Sequence, residues 1–432
     1  MPDTYQAPRW FPLDVAATIY PSARTRSWNY TFRIGFLLKE DVNPVLLREA
    51  LGEIHRRFPS FFVSVRHGLF WYYLERMERF DVVQKEREVP CRSINLFSRT
   101  APAIRVLYDR RRFCVEVPHC VSDGGGTLTM AKALLACYLR LAGKDIPRDG
   151  SLPDSSEPPR AEELRDSYRE FFTKHSEKPA PDAAAWQYRP PRERNYLKIV
   201  RGTIPLEDIL PAAKARGLTL TDYLMGIYLY SFYAADPGAR RTAKPIKVSV
   251  AVSLRNLYRS GSLRNFSLYA NIGFHPRREE PFTFEDVLEA VKGELGRAKT
   301  RENMHKLLCR HTGMLKNPWI RLVPNFLKRR ILRIGYAIVG ESKQTSPLSN
   351  LGRAGLPESV AAHVESIECV LGGSSQKRIN CMTISDGRFL YVAFSGDTKK
   401  TDVQREFFRL LVREGMRVHA ESNIREEEED DV

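Results

Sequence analysis

The stretch Pro118-His119-Cys120-Val121-Ser122-Asp123-Gly124-Gly125-Gly126 puts a base, a carboxylate and three flexible residues within one turn. A histidine titrates near neutrality, so His119 can take a proton from a hydroxyl, an amine or a thiol. Asp123, four residues on in a loop rather than on a helix face, is placed to hold that loop in shape. The glycines adopt backbone conformations closed to other residues and leave room for a substrate to come close. The plain structural alternative is a strand-to-helix turn with Asp123 as its cap. Cys120 is not expected to act as a nucleophile. No second base is apparent, and the residue next to a base on a turn usually points the other way.

The elements around the turn give it a place. Tyr30–Leu38 alternates like a strand, and Asn43–Arg57 carries apolar residues at helical spacing. Phe61–Val65 and Leu69–Leu74 read as a hairpin about His67-Gly68. Ala103–Tyr108 and Phe113–Val117 read as two more strands, the second delivering His119, and Leu128–Leu141 reads as a helix. From Ile146 to Arg194 the composition shifts to Pro, Glu, Asp, Ser and Arg, with only Glu162–His175 looking helical; this is a linker or crossover. The pattern then resumes, with strands at 199–204, 246–252, 268–274, 364–370, 378–384 and 390–395. Helices are expected at 206–216, 221–234 and 402–416. We therefore expect an α/β fold of two lobes, residues 1–145 and 195–420, joined by the crossover 146–194. A ligand site is expected in the seam between them. Residues 421–432, with six acids in a row from Glu426 to Asp431, are expected to form a disordered tail.

Composition narrows the class. The 432 residues are 43% hydrophobic and 28% charged, as in a soluble globular protein. The charge-free apolar run from Tyr223 to Ala235 is well short of the roughly 20 residues that span a bilayer. The N-terminus lacks the basic start and apolar core of a secretory signal. The seven cysteines are scattered, with no zinc-ligand spacing and no redox C-x-x-C. A reduced, cytoplasmic protein without a structural metal is the expectation. A net charge of +16 permits an anionic partner such as a membrane surface, a phosphorylated cofactor or an acidic carrier protein; a merely basic surface stays open.

Three further passages carry polar groups at element ends. Val250-Ala251-Val252-Ser253-Leu254-Arg255 places an arginine just after a buried-looking strand. Arg255 either clamps the loop through a bidentate pair with Asp123 or is a surface arginine. Leu263-Arg264-Asn265-Phe266-Ser267 runs into Tyr269-Ala270-Asn271, and Leu348-Ser349-Asn350-Leu351-Gly352 comes later. Either passage can turn a hydroxyl or amide towards a developing oxyanion, or can be turn chemistry. From Lys316 to Arg333 there are six basic residues and no acids, interleaved with Trp319, Phe326, Leu327, Ile331 and Leu332. The bland account is a pair of packed helices with a basic outer face. A lip holding phosphates, or a peripheral membrane contact, stays open. Nucleic acid is not expected, since no nucleic-acid fold signature accompanies the stretch.

Taken together, PHCVSDGG, VSLRNLY, SLRNFSLYANIGF and SPLSNLG resemble the CoA-dependent acyltransferase superfamily. Its chloramphenicol acetyltransferase-like fold is shared with peptide condensation domains, wax ester synthases and mycobacterial polyketide-associated acyltransferases. FRIGFLL, HRRFPSFF and GLFWYYLE also look like its alcohol acetyltransferase branch. The resemblance extends from about residue 15 to about residue 418, with PHCVSDG its specific part. Condensation domains carry a second histidine where Pro118 stands here, which favours a stand-alone acyltransferase. The D-F-G-W-G motif of plant acyltransferases is absent.

The resemblance implies two chloramphenicol acetyltransferase-like lobes with a tunnel at their interface. The donor would be acyl-CoA or a phosphopantetheine-linked acyl carrier protein, and the acceptor a small alcohol or amine. His119 would serve as general base, and Asp123 would pair with Arg255. Gly124 would keep the tunnel wall low. Ser349, with Asn350, would face the oxyanion, and Ser122 and Asn271 join Asn350 as candidate substrate-binding groups. A monomer is expected. The alternatives are a non-catalytic module that binds an acyl chain or a carrier domain, and an amide-forming condensation enzyme.

Overall fold

The computed structural model describes residues 6–24, 30–86, 89–193, 197–276, 280–335, 341–374 and 377–423. Two sheets organise them. The first has five strands in the order Val364–Leu371, Thr31–Leu38, Arg112–Pro118, Arg105–Asp109 and Val83–Lys85. The second has seven, in the order Ser267–Phe274, Ile246–Ser253, Ser346–Arg353, Asn380–Ser385, Phe389–Gly396, Lys198–Pro205 and His419–Ser422. A small three-stranded sheet joins Trp10–Pro12 to the hairpin Val63–His67 and Tyr72–Arg76.

The helices follow from their caps and apolar faces. Asn43 accepts the Val45 and Leu46 N–H groups and Pro44 opens the first turn, so Pro44–Arg57 begins at the expected place. It packs with Gly124–Leu141 over the first sheet, in one core with Phe36, Phe113 and Leu134. Leu220–Ala235 is buried nearly all round between Phe284–Val291, Asp402–Arg413 and the second sheet. Glu162–His175 does not form one helix. A short turn at Ala161–Leu164 is followed by a single turn at Ser167–Glu170. Asp166 caps the second turn at the Tyr168 N–H, and Glu163 is drawn into a bidentate pair with buried Arg57 at 2.5 and 2.7 Å.

The division into lobes is less simple than the order of elements predicts. Val364–Leu371, from the second half of the chain, completes the first-half sheet by pairing with Thr31–Leu38. His419–Ser422 adds an edge strand to the second sheet, so residues 421 and 422 belong to it rather than to a tail. The acidic run Glu426–Asp431 lies outside the described residues.

The strand Thr31–Leu38 is buried on both faces rather than on one. Its second face holds Arg33, whose guanidinium meets Glu116, Glu86 and Glu368 at 2.7–3.0 Å. Glu368 also receives Arg201 of the second sheet at 2.6 Å, so one carboxylate ties the two sheets together. Burial pushes the Glu368 carboxyl up, but Arg201, Arg33 and Arg112 outweigh it and hold the pKa at about 2. The folded chain thus binds this proton more weakly than the unfolded chain. The stabilisation is complete above the ordinary 4.5 and is lost as pH falls towards about 2. Glu368→Gln should cost about 3 kcal/mol at neutral pH by removing the carboxylate that Arg33, Arg112 and Arg201 share. Urea melts at neutral and acid pH check this; a difference that persists below pH 2 would contradict the account.

Candidate active site

His119 leaves the strand Arg112–Pro118 where Thr31 pairs with Pro118. Its backbone N–H donates to the Tyr30 carbonyl at 3.1 Å. Tyr30 itself stands at φ 58°, a left-handed conformation that is costly for a side chain of this size. The His119 ring is half-buried. It stacks on Tyr20, with centroids 5.3 Å apart, and lies 4.6 Å from Phe32. Burial lowers its pKa from 6.5, more than Asp123 and Asn265 raise it. A neutral imidazole, able to accept a proton, is therefore the prevailing form at neutral pH.

Asp123 turns into the protein. One carboxylate oxygen accepts the Gly126 N–H at 3.0 Å and so caps Gly124–Leu141, which starts four residues before the expected Leu128. The other accepts Arg255 Nη1 at 2.9 Å and the Phe266 N–H at 2.8 Å. A second Arg255 nitrogen lies 2.9 Å from the first oxygen, so the pair is bidentate. Arg255 also donates to the carbonyls of Ser262 and Arg264 at 2.7 and 2.6 Å. Burial pushes the Asp123 carboxyl up, but Arg255 and the two N–H donors more than offset it and leave it below 3.8. The carboxylate stays charged and fastens the His119 turn to the loop after Ile246–Ser253.

The other sequence candidates take varied places. Ser122 is buried, and its hydroxyl donates to the Leu263 carbonyl at 2.6 Å, a further tie between the same two loops. Gly124 faces the Ser346–Arg353 strand, where an added Cβ would lie 2.5 Å from Leu351 Cδ2. Ser349 is half-buried and pairs with Met382, whose Cε lies 3.9 Å from that same added Cβ. Asn350 points elsewhere: its amide donates to Thr221 Oγ1 at 2.9 Å and accepts the Gly352 N–H at 2.8 Å. Asn271 donates to Asp182 of the crossover at 2.6 Å, leaving its own Oδ1 buried without a partner. Cys120 is fully buried, and burial pushes its thiol pKa far up, as an inert cysteine requires.

Residues with weaker marks in the sequence complete the surroundings of His119. Asn265 donates to the His119 carbonyl at 2.9 Å and to Asp14 at 3.1 Å, bridging the turn to the N-terminal segment. Asp14 is fully buried, and burial lifts its carboxyl to about 6 despite Arg264 at 3.7 Å. Tyr20 and Phe32 clasp the ring. Phe32 stands on the alternating strand; Tyr20 opens a four-residue helix within 14–29, a stretch whose mix of apolar and polar residues suits a cleft lining. Beside this region a cavity of about 800 Å³ is lined by Trp10, Val15, Thr18, Trp71, Thr312 and Lys316. His311, next to Thr312, meets Tyr269 edge-on at 6.2 Å, and burial holds its pKa at about 4.

Comparison with known proteins bears on the fold. No protein-family model matches the sequence, and no curated protein matches it either. Solved structures match over nearly the whole chain. Trichothecene 15-O-acetyltransferase from Fusarium sporotrichioides is 11% identical, with a TM-score of 0.60 and 94% of each chain covered. F. graminearum TRI101, complexed with coenzyme A and T-2 mycotoxin, is 11% identical with a TM-score of 0.62, covering 96% of this chain and 99% of that one. The first condensation domain of the CDA synthetase is 16% identical with a TM-score of 0.56, covering 94% and 96%. The chain has the two-lobed fold common to CoA-dependent acyltransferases and condensation domains, as its motifs lead one to expect. Among the described residues no helix is long and apolar enough to cross a membrane.

Proposed function

We propose that the protein is an acyltransferase that moves an acyl group from a thioester to the hydroxyl or amine of a small acceptor. The donor is acyl-CoA or an acyl group on a carrier phosphopantetheine, and His119 is the general base. The bidentate pair between Asp123 and Arg255 carries this proposal most. It assigns the carboxylate to the loop and leaves the half-buried, neutral His119 ring as the one acid–base group of the turn. The structures of similar fold that hold coenzyme A and T-2 mycotoxin support a donor and an acceptor of these kinds.

The chemistry closes on one side chain. His119 takes the acceptor's proton as its oxygen or nitrogen bonds to the thioester carbonyl carbon. The carbonyl π pair moves onto oxygen, giving a tetrahedral oxyanion. When that pair returns, the carbon–sulfur bond breaks and the imidazolium gives its proton to the leaving thiolate. Ser349 is our candidate for the oxyanion donor, since it pairs with Met382, whose Cε faces Gly124. Asn350 is already engaged by Thr221 and Gly352 and fits a supporting role better. Ser349→Ala should then lower kcat about a hundredfold with KM little changed. Equal kcat in the variant would remove Ser349 from the mechanism. All seven cysteines are buried and outside any disulfide, which suits work in the reducing cytoplasm.

The test is to incubate the native protein with acetyl-CoA, longer acyl-CoAs and a panel of alcohols and amines, and to follow free thiol. Acceptor-dependent release that needs His119 is the expected outcome. Binding of acyl-CoA without release would make the chain a binding module on the same fold.

A further inference from the structure

Acyl transfer at His119 makes no use of the surface formed by the helices Pro318–Leu322 and Asn325–Gly335. Trp319 is 79% exposed, Phe326 77%, Leu322 64% and Ile331 57%. The exposed turn Leu69-Phe70 joins them through two bonds. The Asn325 N–H donates to the Leu69 carbonyl, and Lys328 Nζ donates to the Phe70 carbonyl, both at 2.9 Å. Lys328 is itself buried, its ammonium 3.3 Å from the Trp71 ring centroid. Apolar groups from two distant parts of the chain are therefore held together as one exposed surface.

The charge on this surface has one sign. Lys316, Arg329 and Arg330 are exposed among the apolar residues, and no acid occurs from Lys316 to Arg333. The Arg329 charge adds to burial in lowering the pKa of both Arg24 and His67, so its positive field reaches both neighbouring segments. Large exposed aromatic residues are costly on a monomer unless something covers them. Protein interfaces gather aromatics at a dry centre and deplete lysine there. Here exposed Arg329 and Arg330 sit among exposed Phe326, Leu327 and Ile331 on one helix, the mix of a helix lying in the headgroup layer of a membrane. The position is also apt: Asn325–Gly335 packs on Tyr20–Ala23, the helix whose Tyr20 stacks on His119. Lys316 and Trp10 open beside it into the 800 Å³ cavity.

We propose that this face seats the protein on an anionic lipid bilayer. Trp319, Phe326 and the Leu69-Phe70 turn enter the boundary between headgroups and acyl chains, and Arg329 and Arg330 meet lipid phosphates. The seat does not depend on which reaction His119 performs. The test is flotation of the full chain with vesicles of phosphatidylcholine alone and with vesicles of equal parts phosphatidylcholine and phosphatidylglycerol. The protein floats with the anionic vesicles, less so as salt rises, and not with the neutral ones. Trp319→Ala with Phe326→Ala weakens that binding about tenfold or more. Tryptophan fluorescence is quenched by bromine-labelled acyl chains, and Trp319→Phe reduces the quenching. Failure of the native protein to float with anionic vesicles overturns the proposal. So does flotation undiminished by the double substitution, or quenching unchanged in Trp319→Phe. Binding to an acidic acyl carrier protein that the double substitution abolishes, without vesicle binding, gives the surface to a protein partner instead.

Discussion

His119→Ala is expected to lower thiol release from acyl-CoA about 10²–10⁴-fold, the usual contribution of a positioned general base. On the proposed mechanism the loss should fall on kcat, because the acceptor's proton moves as the new bond forms and the ring adds little to donor binding. Its effect on stability should be modest. The half-buried ring gives up contacts with Tyr20 and Phe32 at 5.3 and 4.6 Å, a loss of about 1 kcal/mol or somewhat more. The pH profile offers a separate check. Burial lowers the His119 pKa, so the acid limb of kcat/KM should fall below 6.5 rather than at it. Equal thiol release by the native and alanine proteins would end the case for His119 as the base.

Arg255→Ala has the next largest effect, and it reaches stability and rate together. Among the described residues, removing the guanidinium leaves the Asp123 carboxylate buried with the Gly126 and Phe266 N–H groups as its remaining partners. It also frees the Ser262 and Arg264 carbonyls. A broken buried pair of this kind costs about 3–5 kcal/mol. The His119 turn should loosen with it, so kcat falls although Arg255 makes none of the proposed contacts with reacting atoms. Arg255→Lys keeps the charge without the bidentate fork and should recover only part of both losses. Thermal melts alongside thiol-release kinetics separate the accounts. Lost activity with an unchanged melt would mean that Arg255 touches substrate instead of holding the loop.

Much of the site could be read from local chemistry. The strand that delivers His119 and the glycines after Asp123 are neighbours in sequence, and Arg255 closely follows its own strand, so local spacing makes each visible. Helices such as Pro44–Arg57 and Leu220–Ala235 are written in apolar periodicity and in their caps, Asn43 and Thr219. Glu162–His175 was harder, because buried Arg57 competes for Glu163 and the side chain of Asp166 restarts the helix.

Sequence by itself determined that a histidine and a carboxylate share one turn, and it set much of the order of elements, since each rests on residues within a turn or on a repeating apolar period. Tertiary structure alone decided what Asp123 does, for its partner Arg255 lies 132 residues away and the choice between clamp and acid–base pair is a matter of direction. It also decided that Val364–Leu371 crosses into the first sheet, where Glu368 meets Arg33 and Arg201. It brought Tyr20, Asn265 and Asp14 to His119, because stacking and hydrogen bonding act through space and leave no period along the chain.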